Sequence, residues 1–181
     1  MRSFIALPLP DHVAGPLSDL GTRLRVGRAV DEGNLHLTLA FLDDQPMDAL
    51  EDVHGELELI RAPEVTLSFL GLEPLGGKTP SVLALRVEGA EALQVQVMRA
   101  VRRAGIQLPH RKFRGHVTLA RLNRRPGPAD QAALGKALLG FGYVDLPPVA
   151  VDTLALYRSD LFPDGPRYEV LADYRFALEG N

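Results

Sequence analysis

One short pattern occurs twice in this chain, and each copy sits in the same order of surrounding elements. Asn34-Leu-His-Leu-Thr-Leu-Ala-Phe-Leu42 and Arg114-Gly-His-Val-Thr-Leu-Ala-Arg-Leu122 share His, Thr, Leu, Ala and Leu at an offset of 80. Ser3-Phe-Ile-Ala-Leu and Ser81-Val-Leu-Ala-Leu share Ser, Ala and Leu at an offset of 78. Nearly equal offsets predict a duplicated strand–helix–strand–helix–strand unit. Two such units can pack about a pseudo-two-fold axis, which sets one His-x-Thr strand opposite the other across a groove.

The hydrophobic periodicity supports that order. Strands are expected at Phe4–Leu9, Asn34–Leu42 and Glu64–Leu72, and again at Ser81–Val87, Gly115–Leu122 and Val149–Tyr157, with a last strand at Tyr168–Leu178. Helices are expected after an Asp11 N-cap, with Val13, Leu17, Leu20 and Leu24 on one face, and at Asp48–Ile60, Ala92–Ala104 and Ala129–Leu139. At 181 residues and 46% hydrophobic content, the chain can bury a core as one domain or two tightly joined lobes.

Charge and composition exclude several classes. A net charge of −3 argues against a protein that coats long duplex nucleic acid, so any nucleic-acid partner is gripped locally, near an end. Basic residues are nevertheless dense between Arg99 and Arg125. With no cysteine there is no disulfide, thiol nucleophile or zinc–thiolate site, which is compatible with a reducing cytoplasm. No 18-residue apolar run exists, so no membrane span is expected.

The repeated strands carry the candidate chemistry. Residues i and i+2 of a strand share a face, so each motif presents His and Thr side by side. These are His36 with Thr38 and His116 with Thr118, backed by Leu35, Leu37 and Leu39 and by Val117 and Leu119. Chance gives roughly 0.17 His-x-Thr matches in a chain with this His and Thr content, so two in matching strands carry weight. Two imidazoles can act as base and acid at neutral pH, as the opening of a cyclic phosphodiester requires. Thr hydroxyls and a guanidinium can hold the non-bridging oxygens as their charge grows. Arg121 is the guanidinium candidate, although strict alternation puts it opposite His116 unless a bulge or strand end turns it inward. Zinc would need a third ligand such as Asp43, Asp44 or Asp152, and none sits on the His-facing parity beside either motif, so no metal and no cofactor are expected.

At these motifs the chain resembles the 2H phosphoesterase superfamily, and within it the RNA 2′,3′-cyclic phosphodiesterases once called 2′-5′ RNA ligases. The likeness includes Arg2-Ser-Phe-Ile-Ala-Leu-Pro-Leu, both His motifs, Leu156-Tyr-Arg-Ser-Asp-Leu and Gly165-Pro-Arg-Tyr-Glu-Val-Leu. It implies an α+β fold over 1–181, a duplicated bilobal domain whose two mainly antiparallel sheets carry outer helices around a central cleft. It also implies a metal-independent hydrolase acting on RNA 3′ ends or small cyclic-phosphate nucleotides and leaving a 2′-phosphate. By resemblance His36 is the proton donor and His116 the proton acceptor; the residues alone leave those two roles open. A cytoplasmic monomer without a stable protein partner is expected. The chain departs from the family in having no Trp and in placing Gly115 where Pro is common.

Phe113, Arg114, Tyr157 and Arg158 are candidate substrate contacts, the aromatics by stacking and the arginines on phosphates. The parity of Phe41 points it into the core. His110 reads as a loop residue, and His12 and His54 as helix-surface residues. Two other functions fit the same motifs. One is a phosphodiesterase or reversible 2′-5′ ligase on small nucleotides, oligonucleotides or tRNA halves. The other is a non-catalytic module that only holds an RNA end.

Overall fold

The computed structural model describes residues 1–163 and 165–176. In chain order it forms β1 (Arg2–Pro8), α1 (Asp11–Leu24), β2 (Arg28–Ala29), a 3-10 turn (Glu32–Asn34), β3 (His36–Asp44), α2 (Met47–Glu58) and β4 (Val65–Leu75). Then come β5 (Val82–Glu88), α3 (Glu91–Arg103), β6 (His116–Arg121), α4 (Pro128–Phe141), β7 (Val149–Val151), β8 (Thr153–Phe162) and β9 (Gly165–Arg175). The fold is α+β. Its described strands follow one path, β7-β4-β5-β6-β3-β1-β8-β9, with β2 added to β6, and neighbours run antiparallel.

The path has a pattern that the repeat explains. On either side of its centre lie β6-β5-β4 and β3-β1-β8. The first two strands of each repeated unit stay together, while the third crosses over. β4 pairs with β5 of the other unit, and β8 pairs with β1.

The sheet has two unlike faces. On one, Leu37, Leu39, Val117 and Leu119 join a single core with Leu17 and Leu20 of α1, Val53 and Leu57 of α2, and Val97 and Val101 of α3. Those helix positions recur every three or four residues, the spacing that aligns side chains on one helical face. On the other face Phe4, Ala6, Ala155 and Tyr157 form a small separate cluster with Tyr168 against it.

Three expectations change. Asp11 is the first helical residue and not the cap; Pro10 holds the cap position with extended backbone and no side-chain hydrogen bond. The single strand expected at Val149–Tyr157 is two, because the chain leaves β4 after Val151 and pairs with β1 from Ala155. The last strand begins at Gly165, and its expected end at Leu178 lies outside the described residues. β2 and the 3-10 turn are too short to show a period.

Leu37 has no solvent exposure and sits at the centre of the path. Leu37→Ala should destabilise the protein by about 2–5 kcal/mol through lost contacts and a residual cavity. Urea denaturation reads this directly, and an unchanged midpoint would remove Leu37 from the core.

Candidate active site

The site begins where the two repeated strands touch. Among the described residues β3 and β6 share one register pair, Leu37 with Val117. Antiparallel registry about that pair sets His36 opposite Thr118 and Thr38 opposite His116. The two histidines are thus diagonal neighbours, a relation that spans roughly 7–8 Å. A phosphate group fits between rings at that spacing. All four side chains line one cavity of about 410 Å³ on the sheet face away from the helices.

Both strands then break their alternation at the same place. Against β1, Thr38 faces Ala6 while Ala40 faces Ile5, so Leu39 is an extra residue. Against β5, Thr118 faces Ala84 while Ala120 faces Leu83, so Leu119 is extra. Each bulge flips the parity of the residues after it. Arg121 is thereby turned into the cavity. The same flip corrects the reading of Phe41, which is 60% exposed and lines the cavity. Phe41 and Arg121 hold equivalent positions in the repeat.

Each imidazole is oriented by the backbone two residues earlier. His36 Nδ1 lies 2.8 Å from the Asn34 carbonyl, and His116 Nδ1 lies 2.8 Å from the Arg114 carbonyl. A carbonyl only accepts, so Nδ1 carries the proton in both rings and Nε2 is left for a substrate. Gly115 helps fix the second ring. A Cβ there would come within 2.4 Å of the Val87 carbonyl oxygen, so glycine lets the start of β6 lie close against β5.

Around the rings the two motifs differ. His36 stacks on Phe4 at 4.8 Å between centroids and meets Tyr168 edge-on at 5.2 Å. Phe4 in turn stacks on Tyr157 at 4.9 Å. Burial among these rings pushes the His36 pKa down to about 4, against the pull of its hydrogen bond to Asn34. The positive charges of Arg121 and His116 act in the same downward direction. Tyr168 also joins two parts of the site, because its hydroxyl accepts a 3.0 Å hydrogen bond from Arg121 Nη2.

The remaining candidates fall outside the cavity wall. Phe113 packs against the core. Arg114 pairs with Glu73 at 2.8 Å. Arg158 pairs with Asp160 at 2.9 Å and with Glu169 at 3.6 Å. Tyr157 is 8% exposed and lies beneath Phe4, where burial and Asp173 push its pKa up to about 12. It supports the floor without facing a ligand. Sequence reasoning missed Phe4, Asn34 and Tyr168 as site residues. Tyr168 stands in the quoted Gly165-Pro-Arg-Tyr segment, which was its only signal. His54, read as a helix-surface residue, is bonded to the Tyr174 hydroxyl at 2.8 Å. Among the described residues no three His, Asp or Glu side chains converge as a metal site, and no helix is long and apolar enough to cross a membrane.

Residues 9–161 match the model of the 2′-5′ RNA ligase superfamily. The chain belongs to that family. Among similar family proteins, an RNA 2′,3′-cyclic phosphodiesterase of Thermus thermophilus is 33% identical, covering 99% of this chain and 91% of that one. One of the same name from Thermotoga maritima is 28% identical over 97% of this chain and 96% of its own length. A solved Thermus thermophilus protein superposes with a TM-score of 0.75 at 28% identity, covering 99% of this chain and 100% of that one.

The lowered His36 pKa has a consequence for stability. Between about pH 4 and the ordinary imidazole value of about 6.5, the unfolded chain binds this proton and the folded chain does not. Stability should therefore fall as pH drops through that window. His36→Gln should flatten the fall in urea titrations; an equal slope in both proteins would assign it to another group.

Proposed function

We propose that this protein opens 2′,3′-cyclic phosphates at the 3′ end of RNA and leaves a 2′-phosphate. The observation that carries the reading is the single cavity in which His36 and His116 stand as diagonal neighbours with Arg121 turned in between the bulged strands. The names of the Thermus and Thermotoga relatives agree with it.

In the proposed reaction His116 Nε2 takes a proton from a water molecule as the water oxygen bonds to phosphorus. The bond from phosphorus to the 3′ oxygen breaks, and His36 Nε2 delivers a proton to that oxygen. Thr38, Thr118 and Arg121 hold the non-bridging oxygens while their charge rises. His36 must carry a proton to do this, yet its burial among the aromatic rings favours the neutral form. The substrate supplies the missing counter-charge. A phosphodiester anion between the rings favours imidazolium, so His36 charges as the substrate seats. The active form then holds one proton on the pair, and the limbs of its pH profile belong to the pair.

Phe41 offers an exposed ring at the Asp43 end of the cleft, suited to stacking on the terminal base. One chain provides both motifs, so a monomer is complete for this chemistry. Absence of cysteine fits work in a reducing cytoplasm.

Hydrolysis of an RNA ending in a 2′,3′-cyclic phosphate, with EDTA present, is the direct test. His36→Ala and His116→Ala should each lower kcat by about 10²–10⁴-fold, and the double variant by less than the product. Thr38→Ala and Thr118→Ala should cost less than either. Wild-type turnover in His36→Ala would end the mechanism. Activity lost to EDTA and restored by zinc would replace it with metal catalysis, and no turnover at all would leave a binding module. Binding of a 2′-phosphorylated product at about pH 6 should take up a proton, seen by calorimetry in two buffers of unlike ionisation heat.

A further inference from the structure

We propose that a second cavity, at the far end of β6, seats the penultimate nucleoside of the RNA, so that the preferred substrate is an oligonucleotide end and not a mononucleotide. This rests on the function proposed for the cleft and extends it by one nucleotide. The cavity is about 240 Å³. That lies below the roughly 300–1,000 Å³ of sites for drug-sized ligands, and it suits one ring system better than a whole nucleotide. Its walls include Val26, Leu122 and Leu134, and Lys78, Asn123 and Gln131 stand at its polar side. Apolar faces with polar groups at the edge are what a base presents in return.

Two observations tie this cavity to the cleft. The first is continuity. Arg28, Arg121 and Val82 line the cleft, while Gly27, Leu122 and Pro80 line the second cavity. Three separate segments thus pass from one cavity to the other within one or two residues. Gly27 keeps the partition thin: its φ is +57°, and a Cβ would come 2.1 Å from the Arg121 carbonyl oxygen.

The second observation is charge. Arg28 and Arg121 stand at this end of the cleft, Lys78 stands on the next cavity, and Arg124 and Arg125 are exposed just past Asn123. The opposite end carries Arg2, which is registered against Asp44 with Asp43 beside it, and nearby Arg158 is already paired with Asp160 and Glu169. An RNA strand leaving the site is a line of phosphates, and it follows the cations. Asp130 is the one carboxylate among the cavity's lining residues. Its two oxygens accept 2.9 Å hydrogen bonds from Asn123 and from the Gly127 N–H, which ties it to the start of α4. At the other end of β6 the exposed loop through Arg111 and Lys112 offers a rival exit.

The experiment compares a 2′,3′-cyclic mononucleotide with the dinucleotide that bears the same cyclic 3′ residue. The dinucleotide should have a kcat/KM higher by about ten-fold or more, carried by KM, because a remote contact binds ground and transition states alike. Gln131→Trp fills the cavity from an exposed position, and Lys78→Glu reverses its charge. Each should bring the ratio of the two kcat/KM values towards one, and Lys78→Glu should also weaken the salt dependence of the dinucleotide's KM. Equal kcat/KM for both substrates in the wild type would overturn the proposal and leave the catalytic reading intact. So would an advantage that survives both variants but is lost in Arg111→Glu, which would route the strand through the rival exit. Failure to open either substrate would overturn both readings together.

Discussion

Everything in the cleft depends on one contact between backbones. Leu37 and Val117 pair across the middle of the sheet, and neither side chain has any solvent exposure. Because side chains alternate along a strand, fixing these two inward fixes the residue on either side outward. Two histidines and two threonines therefore reach one cavity from a pairing of two hydrophobic residues. A slip of one position would bury all four polar groups and expose the leucines and valine, at a cost no sheet of this size could absorb.

The two motifs are near copies, yet the structure makes their histidines unlike. Both rings are aimed by a carbonyl two residues upstream, so orientation is shared. The difference comes from neighbours outside the two His-x-Thr motifs. His36 rests on Phe4 and against Tyr168, and Phe4 rests on Tyr157. Tyr157 and Tyr168 come from β8 and β9, whose pairing on β1's side of the sheet brings them under the first motif. Desolvation by those rings separates the proton affinity of His36 from that of a solvated imidazole. Identical motifs cannot generate that difference from within, and in the proposed reaction the charge of the substrate has to offset it before His36 can donate.

Much of this was legible in the letters. Long periodic stretches became the expected elements, and the four polar residues of the two motifs came together. What could not be read were the places where two rules compete. Periodicity assigns Phe41 to the core and Arg121 away from its histidine, because it assumes an unbroken strand. Each bulge is a property of the pairing with β1 or β5, and a single strand's sequence does not contain its partner's register. The break at Asp152 was hidden for a similar reason, since Val149 to Tyr157 reads as one strand but serves two different neighbours. Tyr168 escaped notice because its value lies in touching His36 and Arg121, both more than forty positions away.

The crossing of third strands also sets the order in which the molecule can assemble. β1 and β3 are close in sequence and can form a hairpin-like pair early, on either side of α1. The other edge of β1 has to wait for β8, which begins at Thr153. During synthesis the ribosome must therefore deliver most of the chain before that edge is covered. Until then an apolar strand, Phe4 to Leu7, offers unpaired backbone groups to any passing partner. The nascent chain is most exposed to mispairing in that interval, and a slow, late closure is the kinetic signature of contacts so distant in sequence.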